Sequence, residues 1–201
     1  MLYRIYEKWL KRSISSSPVP RCVAVVIPSG LGGEWQKIHQ LIDWCTSIGV
    51  KSILLSAIED DPSSEVRLLT ELKETSVKAT VYVDQNEIET GRGGALELSI
   101  SLNYSGKREV TMAIRELLKD VESGRLDPEN IDEGKIESKL SFKQRPDLMI
   151  RLGGRQLSDF MIWQSSYSEL YFIGTNWKNL RKIDFLRAIR SYQQRERRFG
   201  K

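Results

Sequence analysis

The chain has 201 residues, is 40% hydrophobic and 29% charged, and carries a formal net charge of +4. That length suits one domain with a single core, and the balance excludes wholesale disorder and a polytopic membrane protein. No apolar run approaches the roughly 18 residues of a spanning helix, no secretory leader is visible, and Cys22 and Cys45, without a CxxC and beside the lone His39, read as buried thiols in a reducing compartment.

In chain order, MLYRIYEKWLKR places Leu2, Ile5, Tyr6 and Trp9 at helical spacing, with Arg4, Lys8, Lys11 and Arg12 elsewhere around the wheel. The pattern resembles a short interfacial helix, cations toward anionic lipid; the alternative is a helix packed on its own domain. Ser15 to Pro20 breaks it as a linker, so residues 1–20 form a helix with its linker and 21–201 one domain. Strands are expected at Val23–Ile27, Ser52–Ile58, Ala79–Val83, Ala95–Asn103, Asp147–Leu152 and Glu169–Ile173. Helices are expected at Glu34–Ile48, Ser64–Ser76, Lys107–Glu122, Glu133–Leu140 and Asn179–Arg195. This alternation, with near-continuous apolar strands, predicts an α/β fold with a mainly parallel sheet flanked by helices.

Two strand ends draw attention. The first, VAVVI, runs into Pro28-Ser29-Gly30-Leu31-Gly32-Gly33, the kind of turn where α/β proteins seat a phosphate, yet this turn holds no acid, Lys or Arg. The second, DLMIRL, brings Arg151 to the strand's carboxyl end. There Gly153 and Gly154 allow a close backbone approach, and Arg155, Ser158 and a helix starting at Asp159 would offer a guanidinium, a hydroxyl and backbone N–H donors. An oxyanion rich in acceptors, such as a diphosphate, is what such groups complement; a structural turn with surface arginines is the alternative.

Charge is unevenly spread: residues 1–21 carry +4, residues 22–177 carry −7 and residues 178–201 carry +7. Basic ends suit anionic ligands or an anionic membrane, while nucleic acid is not expected, since no aromatic and basic interleaving accompanies them. The predicted location is cytoplasmic, with peripheral contact on the inner face of a membrane. The last helix carries Leu180, Ile183, Leu186, Ile189 and Tyr192 as its apolar stripe, and the chain ends on RERRFGK.

PDLMIRLGG, LSDFMIWQSSYSELYF, LNYSGKRE and the terminal RERRFG are together similar to the cis-prenyltransferases, the undecaprenyl and dehydrodolichyl diphosphate synthase type. The resemblance implies their fold and their reaction: isopentenyl diphosphate is added to an allylic diphosphate, with Mg²⁺, to extend a Z-polyprenyl chain. It matches Arg151, Ser158 and Glu169 to positions that bind isopentenyl diphosphate or its magnesium. Arg155 stands near a substrate-binding arginine whose place is taken by Leu157. Arg198 and Gly200 match an RxG motif that, in dimeric members, reaches the diphosphate of the partner's site.

The resemblance also exposes a loss. Where active members read Met-Asp-Gly-Asn-Gly-Arg, this chain reads Ile27-Pro28-Ser29-Gly30-Leu31-Gly32, so the catalytic aspartate falls on Pro28. Between Ile58 and Ala79 only one short helix fits, and QNEIETGRGG replaces another helical stretch, which truncates the tunnel for the growing chain. A dead first motif with an intact RxG resembles the accessory subunit of heteromeric enzymes, the type typified by the Nogo-B receptor. The expectation is a heterodimer whose catalytic partner holds most of the Mg²⁺ and makes a long-chain polyprenyl diphosphate, precursor of a dolichol-like glycosyl carrier. The alternatives are a self-sufficient enzyme using Glu34, Asp43 or Glu169 as metal ligand, and a lipid-diphosphate-binding scaffold without turnover.

Overall fold

The computed structural model describes residues 2–14, 17–83, 86–156 and 158–195. Its elements run α1 (Leu2–Ile14), β1 (Cys22–Ile27), α2 (Gln36–Thr46), β2 (Ser52–Ala57), α3 (Ser63–Lys73), β3 (Lys78–Val83), β4 (Asn86–Thr90), β5 (Glu97–Leu102), α4 (Gly106–Glu122), a 3-10 turn (Pro128–Asn130), α5 (Glu133–Lys139), β6 (Leu148–Leu152), β7 (Glu169–Ile173) and α6 (Lys182–Gln194). The strands form one sheet in the order β4-β3-β5-β2-β1-β6-β7. All neighbours are parallel except β3 and β4.

Both faces of the central strands are covered, which explains their unbroken apolar runs. Every residue of β1 and β2 is buried. Val23, Val25 and Ile27 face the larger core, shared with α2, α3 and α6, whereas Cys22, Ala24 and Val26 face a smaller cluster closed by Phe142, Phe160 and Met161. Both thiols are free and buried, as expected.

Helix α1 is part of the larger core. Leu10 and Ile14 are 0% and 1% exposed, and Arg190 Nη1 on α6 donates to Ser13 Oγ at 2.6 Å. The helix is therefore packed on its own domain, the alternative given above, but through Leu10 and Ile14, while Ile5, Tyr6 and Trp9 of the expected stripe stay exposed.

Two expectations fail. The segment predicted to have no element of its own forms β4, antiparallel to β3 with Ala79 opposite Thr90 and Tyr82 opposite Glu87. Its polar NEIET sequence hides it, because an edge strand with outward charges needs no apolar run. The helix expected from Asp159 does not form; residues 160–167 are successive turns. Met161 adopts φ +52° and lies fully buried, and the Asp159 carboxylate is turned to α4, accepting from Ser105 Oγ at 2.6 Å and Lys107 N at 3.4 Å. Side chain and backbone there serve another element's first turn.

Candidate functional site

The chain moves from β1 to β2 and outward on one side, then returns across the sheet to β6 and β7 on the other. The carboxyl ends of β1 and β6 therefore flank a reversal of strand order, where ligands of open α/β sheets bind. Val26 of β1 lies opposite Arg151 of β6, so the Pro28 loop and the Gly153 loop leave the sheet side by side.

The loop after β1 is supplied from outside its own sequence. Glu59, two residues past β2, accepts the Leu31 N–H on Oε1 and the Ser64 hydroxyl on Oε2 at 3.2 Å. Its backbone is clamped by Asn103 past β5: Glu59 N donates to Asn103 Oδ1, and Asn103 Nδ2 to Glu59 O, both at 2.8 Å. Gly30 is required here, since at φ +73° a Cβ would lie 2.5 Å from Ile58 O and 3.1 Å from Glu59 Oε1. The Leu31 N–H of this loop is thus bound to the chain's own carboxylate.

On the β6 side, Arg151 and Ser158 line one cavity of about 370 Å³ together with Lys107, Asp159, Met149 and Ile162. Arg151 is half-buried; its Nη1 donates to Leu152 O at 2.8 Å, and its buried Nε has no partner among the described residues. The Gly153 N–H is shared between Ile173 O and Thr175 O at 3.0 and 2.9 Å, which closes the β6 loop onto the end of β7. α4 opens at this mouth, with Ser105 as its N-cap. Gly106 packs so closely on the 159–162 turn that a Cβ would meet Asp159 O at 2.0 Å.

A second cavity of about 260 Å³ lies between β3, β5 and α4. Glu109, 9% exposed, is tied there by Ser141 N at 2.7 Å, Phe142 N at 3.2 Å, Gln164 Nε2 at 3.2 Å and the Tyr104 hydroxyl. Burial, then the hydrogen bond to Glu109, raises the Tyr104 phenol far above its usual range and keeps it protonated. Cavities of this size suit small ligands. Only α3 stands between β2 and β3.

The predicted site residues are thus divided. Arg151 and Ser158 meet in one cavity, and Arg155 is exposed. Glu169 begins β7 opposite Leu148, at the other end of the strand from the Arg151–Phe172 pair, and is bound by Arg195 at 2.6 Å. Arg198 and Gly200, like Leu157, lie outside the described residues. Glu59 and Lys107 were not singled out from sequence, although Lys107 belongs to the LNYSGKRE motif. Glu59 has no signal of its own, because its role depends on a loop 28 residues earlier.

Metal-binding donors do not assemble. Among the described residues no three His, Cys, Asp or Glu side chains stand close enough to share an ion. Pro28 supplies no ligand, Glu34 pairs with Lys178 at 3.8 Å, Asp43 is exposed on α2, and Glu59, Asp159 and Glu169 are engaged as described. Among the described residues no carboxylates are gathered into a site that would hold Mg²⁺ without waters or substrate phosphates.

A family model described as putative undecaprenyl diphosphate synthase matches residues 34–200. The chain belongs to this prenyltransferase family. The match begins just after the bare loop. A tritrans,polycis-undecaprenyl-diphosphate synthase (geranylgeranyl-diphosphate specific) of Methanopyrus kandleri is 32% identical, covering 100% of this chain and 92% of that protein. Their alignment spans 248 positions against 201 residues here, so the relative carries several dozen residues without a counterpart. A (2Z,6E)-farnesyl diphosphate synthase of Thermobifida fusca is 34% identical over 99% of this chain and 97% of its own. Among solved structures, a probable undecaprenyl diphosphate synthase of Campylobacter jejuni superposes with TM-score 0.72 at 25% identity, over 92% of this chain and 100% of that one. Lavandulyl diphosphate synthase of Lavandula x intermedia shares the fold, with TM-score 0.73 at 23% identity over 91% and 99%. The α/β fold expected from the motifs is therefore that of the prenyltransferases.

Proposed function

We propose that this chain is the accessory subunit of a heterodimeric cis-prenyltransferase that makes long-chain polyprenyl diphosphate, a carrier-lipid precursor, from isopentenyl diphosphate and an allylic diphosphate. The observation that carries the reading is the loop after β1. It holds Pro28, which the motif resemblance sets against the family's aspartate, and Glu59 accepts its Leu31 N–H. An internal carboxylate at that donor repels the diphosphate that an active member would seat there. The catalytic partner supplies the aspartate, most of the Mg²⁺ and the tunnel, while residues 21–201 form a prenyltransferase-like domain whose Arg198-Phe199-Gly200 reaches into the partner's site.

Other features agree. Ile162 and Tyr167 are 49% and 65% exposed beside the edge strand β7, leaving apolar surface for a partner. Arg151, Ser158 and Arg155 are assigned to binding of isopentenyl diphosphate, and Glu169 to its metal once the partner completes the set. Among the described residues no helix is long and apolar enough to cross a membrane, and contact with a membrane is assigned to α1.

A second reading, a self-sufficient enzyme, is favoured by full-length similarity to relatives that are named as synthases. Incorporation of labelled isopentenyl diphosphate, with Mg²⁺ and an allylic primer, separates the two. The accessory reading expects product only when the chain is co-expressed with a catalytic homologue, and loss of at least tenfold on Arg198→Ala because a charged contact leaves the partner's site. Turnover by the chain alone establishes the second reading.

A further inference from the structure

We propose that the outer face of α1, with the adjoining arginines of α6, is a docking platform for an anionic lipid bilayer. The proposal deepens the reading above and rests on it for its purpose, since the product of that reaction is itself a lipid. Its geometry comes from how α1 divides its side chains. Leu10 and Ile14 turn inward, while Ile5 and Trp9, four residues apart and so on one face, remain 60% and 50% exposed, with Tyr6 beside them at 37%. Trp9 packs on Tyr6 and Arg190 and still leaves half of its surface outward. Interfacial helices present a tryptophan in this way, because the indole ring prefers the headgroup layer.

The platform is made by both ends of the domain. The Tyr6 and Trp9 rings stack at 5.7 Å, with the Arg187 guanidinium 5.4 Å from Tyr6 and that of Arg190 4.4 Å from Trp9. Lys8 and Arg12 are exposed on the other flank of α1. The acids of these two helices, among the described residues, are engaged: Glu7 with Lys182 at 3.2 Å, Asp184 with Arg181 at 2.9 Å and Arg187 at 3.9 Å. What remains outward is aromatic surface framed by positive charge, the complement of acyl boundary and lipid phosphate. A second copy fits less well, because a twofold contact would press the same cationic face onto itself.

The test is co-sedimentation of the full chain with phosphatidylcholine vesicles, with and without phosphatidylglycerol. Binding is expected to the anionic vesicles only, and to weaken with salt. Ile5→Ser/Trp9→Ser should lower partitioning more than tenfold, and Arg187→Gln/Arg190→Gln roughly fivefold per charge, with thermal melts confirming that each variant is folded. No binding to anionic vesicles, or binding indifferent to both pairs, overturns the proposal. Self-association by sedimentation velocity that Ile5→Ser/Trp9→Ser abolishes also overturns it in favour of a second copy. Polyprenyl synthesis with the catalytic partner in detergent solution is scored separately, so failure of the accessory reading leaves the vesicle result standing, and the reverse.

Discussion

Replacing Glu59 by alanine tests whether a distant carboxylate holds the loop after β1. The substitution removes a charge-assisted hydrogen bond from the N–H of Leu31, whose residue is 1% exposed, and a longer bond from Ser64 Oγ at 3.2 Å. A hydrogen bond to a charged group contributes about 1.5–3 kcal/mol, and the longer bond from the buried Ser64 hydroxyl adds little to it. The expected cost is therefore about 2–3 kcal/mol. For a domain of this size that corresponds to a fall of roughly 4–12 °C in Tm. Urea unfolding should show a lower midpoint at unchanged slope, because the surface exposed on unfolding is the same. Glu59→Gln keeps an acceptor and should cost about 1 kcal/mol. Asn103→Ala removes both clamps at 2.8 Å on the Glu59 backbone, so the double variant should cost less than the sum of the singles. Glu59→Ala within about 0.5 kcal/mol of the parent, or strict additivity with Asn103→Ala, would refute the brace.

Alkaline pH gives an independent test. Burial raises the Cys22 thiol to about 12 from 9.0, and burial followed by Glu87 raises Tyr82 to about 12 from 10.0; Cys45 and Tyr104 are also raised, each first by burial. In this window the native state keeps protons that the unfolded chain has released, so stability is full below about pH 9 and falls as pH climbs toward 12, by up to roughly 1.4 kcal/mol per unit per group, less for the half-exposed Tyr82. Urea midpoints measured from pH 8 to 11 check the sign. Glu109→Ala takes the acceptor from two backbone N–H groups and the Tyr104 hydroxyl, and one of two from the Gln164 amide, which keeps Phe142 O; it should cost about 3 kcal/mol or more, with Glu109→Gln intermediate by the same assay. Finally, Pro28→Asp in the chain alone should yield no polyprenyl product, since one carboxylate does not restore the neighbouring Asn and Arg or free the Leu31 N–H from Glu59; labelled isopentenyl diphosphate incorporation reads it directly.

Legibility in the sequence followed how local each constraint is. The strands announce themselves because burial on both faces demands apolar residues at every position, as in CVAVVI and SILLSA. The last helix does so because its stripe, Leu180 to Tyr192, fills one side of a core; all five residues are buried. β4 leaves no such trace, since its stability comes from pairing with β3 and from cross-strand contacts such as Lys78 with Glu89 at 3.9 Å. The stretch after Asp159 misleads for the opposite reason. An acid before an apolar run is a fair helix start by local rules, but Ser105 and the α4 N-terminus claim the carboxylate from 54 residues away, and buried Met161 takes a left-handed backbone.

The same reasoning separates the two halves of the candidate site. On the β6 side, Arg151 and Ser158 were readable because a strand end and a glycine turn place them by local geometry, and the fold brings both to one cavity. On the β1 side the sequence could show only what the loop lacks. Its occupant, Glu59, lies past another strand and is aimed by Asn103 past a third. A loop with no acid of its own has become a loop with its donor satisfied by a neighbour's acid. That difference bears on the proposed function: a bare loop leaves its donors open to an anion, whereas here the Leu31 N–H is already paired to Glu59. In the β6 half, Arg151 Nε is buried without a partner among the described residues, the donor that the proposed function assigns to a diphosphate oxygen. On the accessory reading proposed above, this asymmetry is what a second polypeptide would complete: the chain offers the β6 half of the mouth, and the partner supplies the half that Glu59 occupies here.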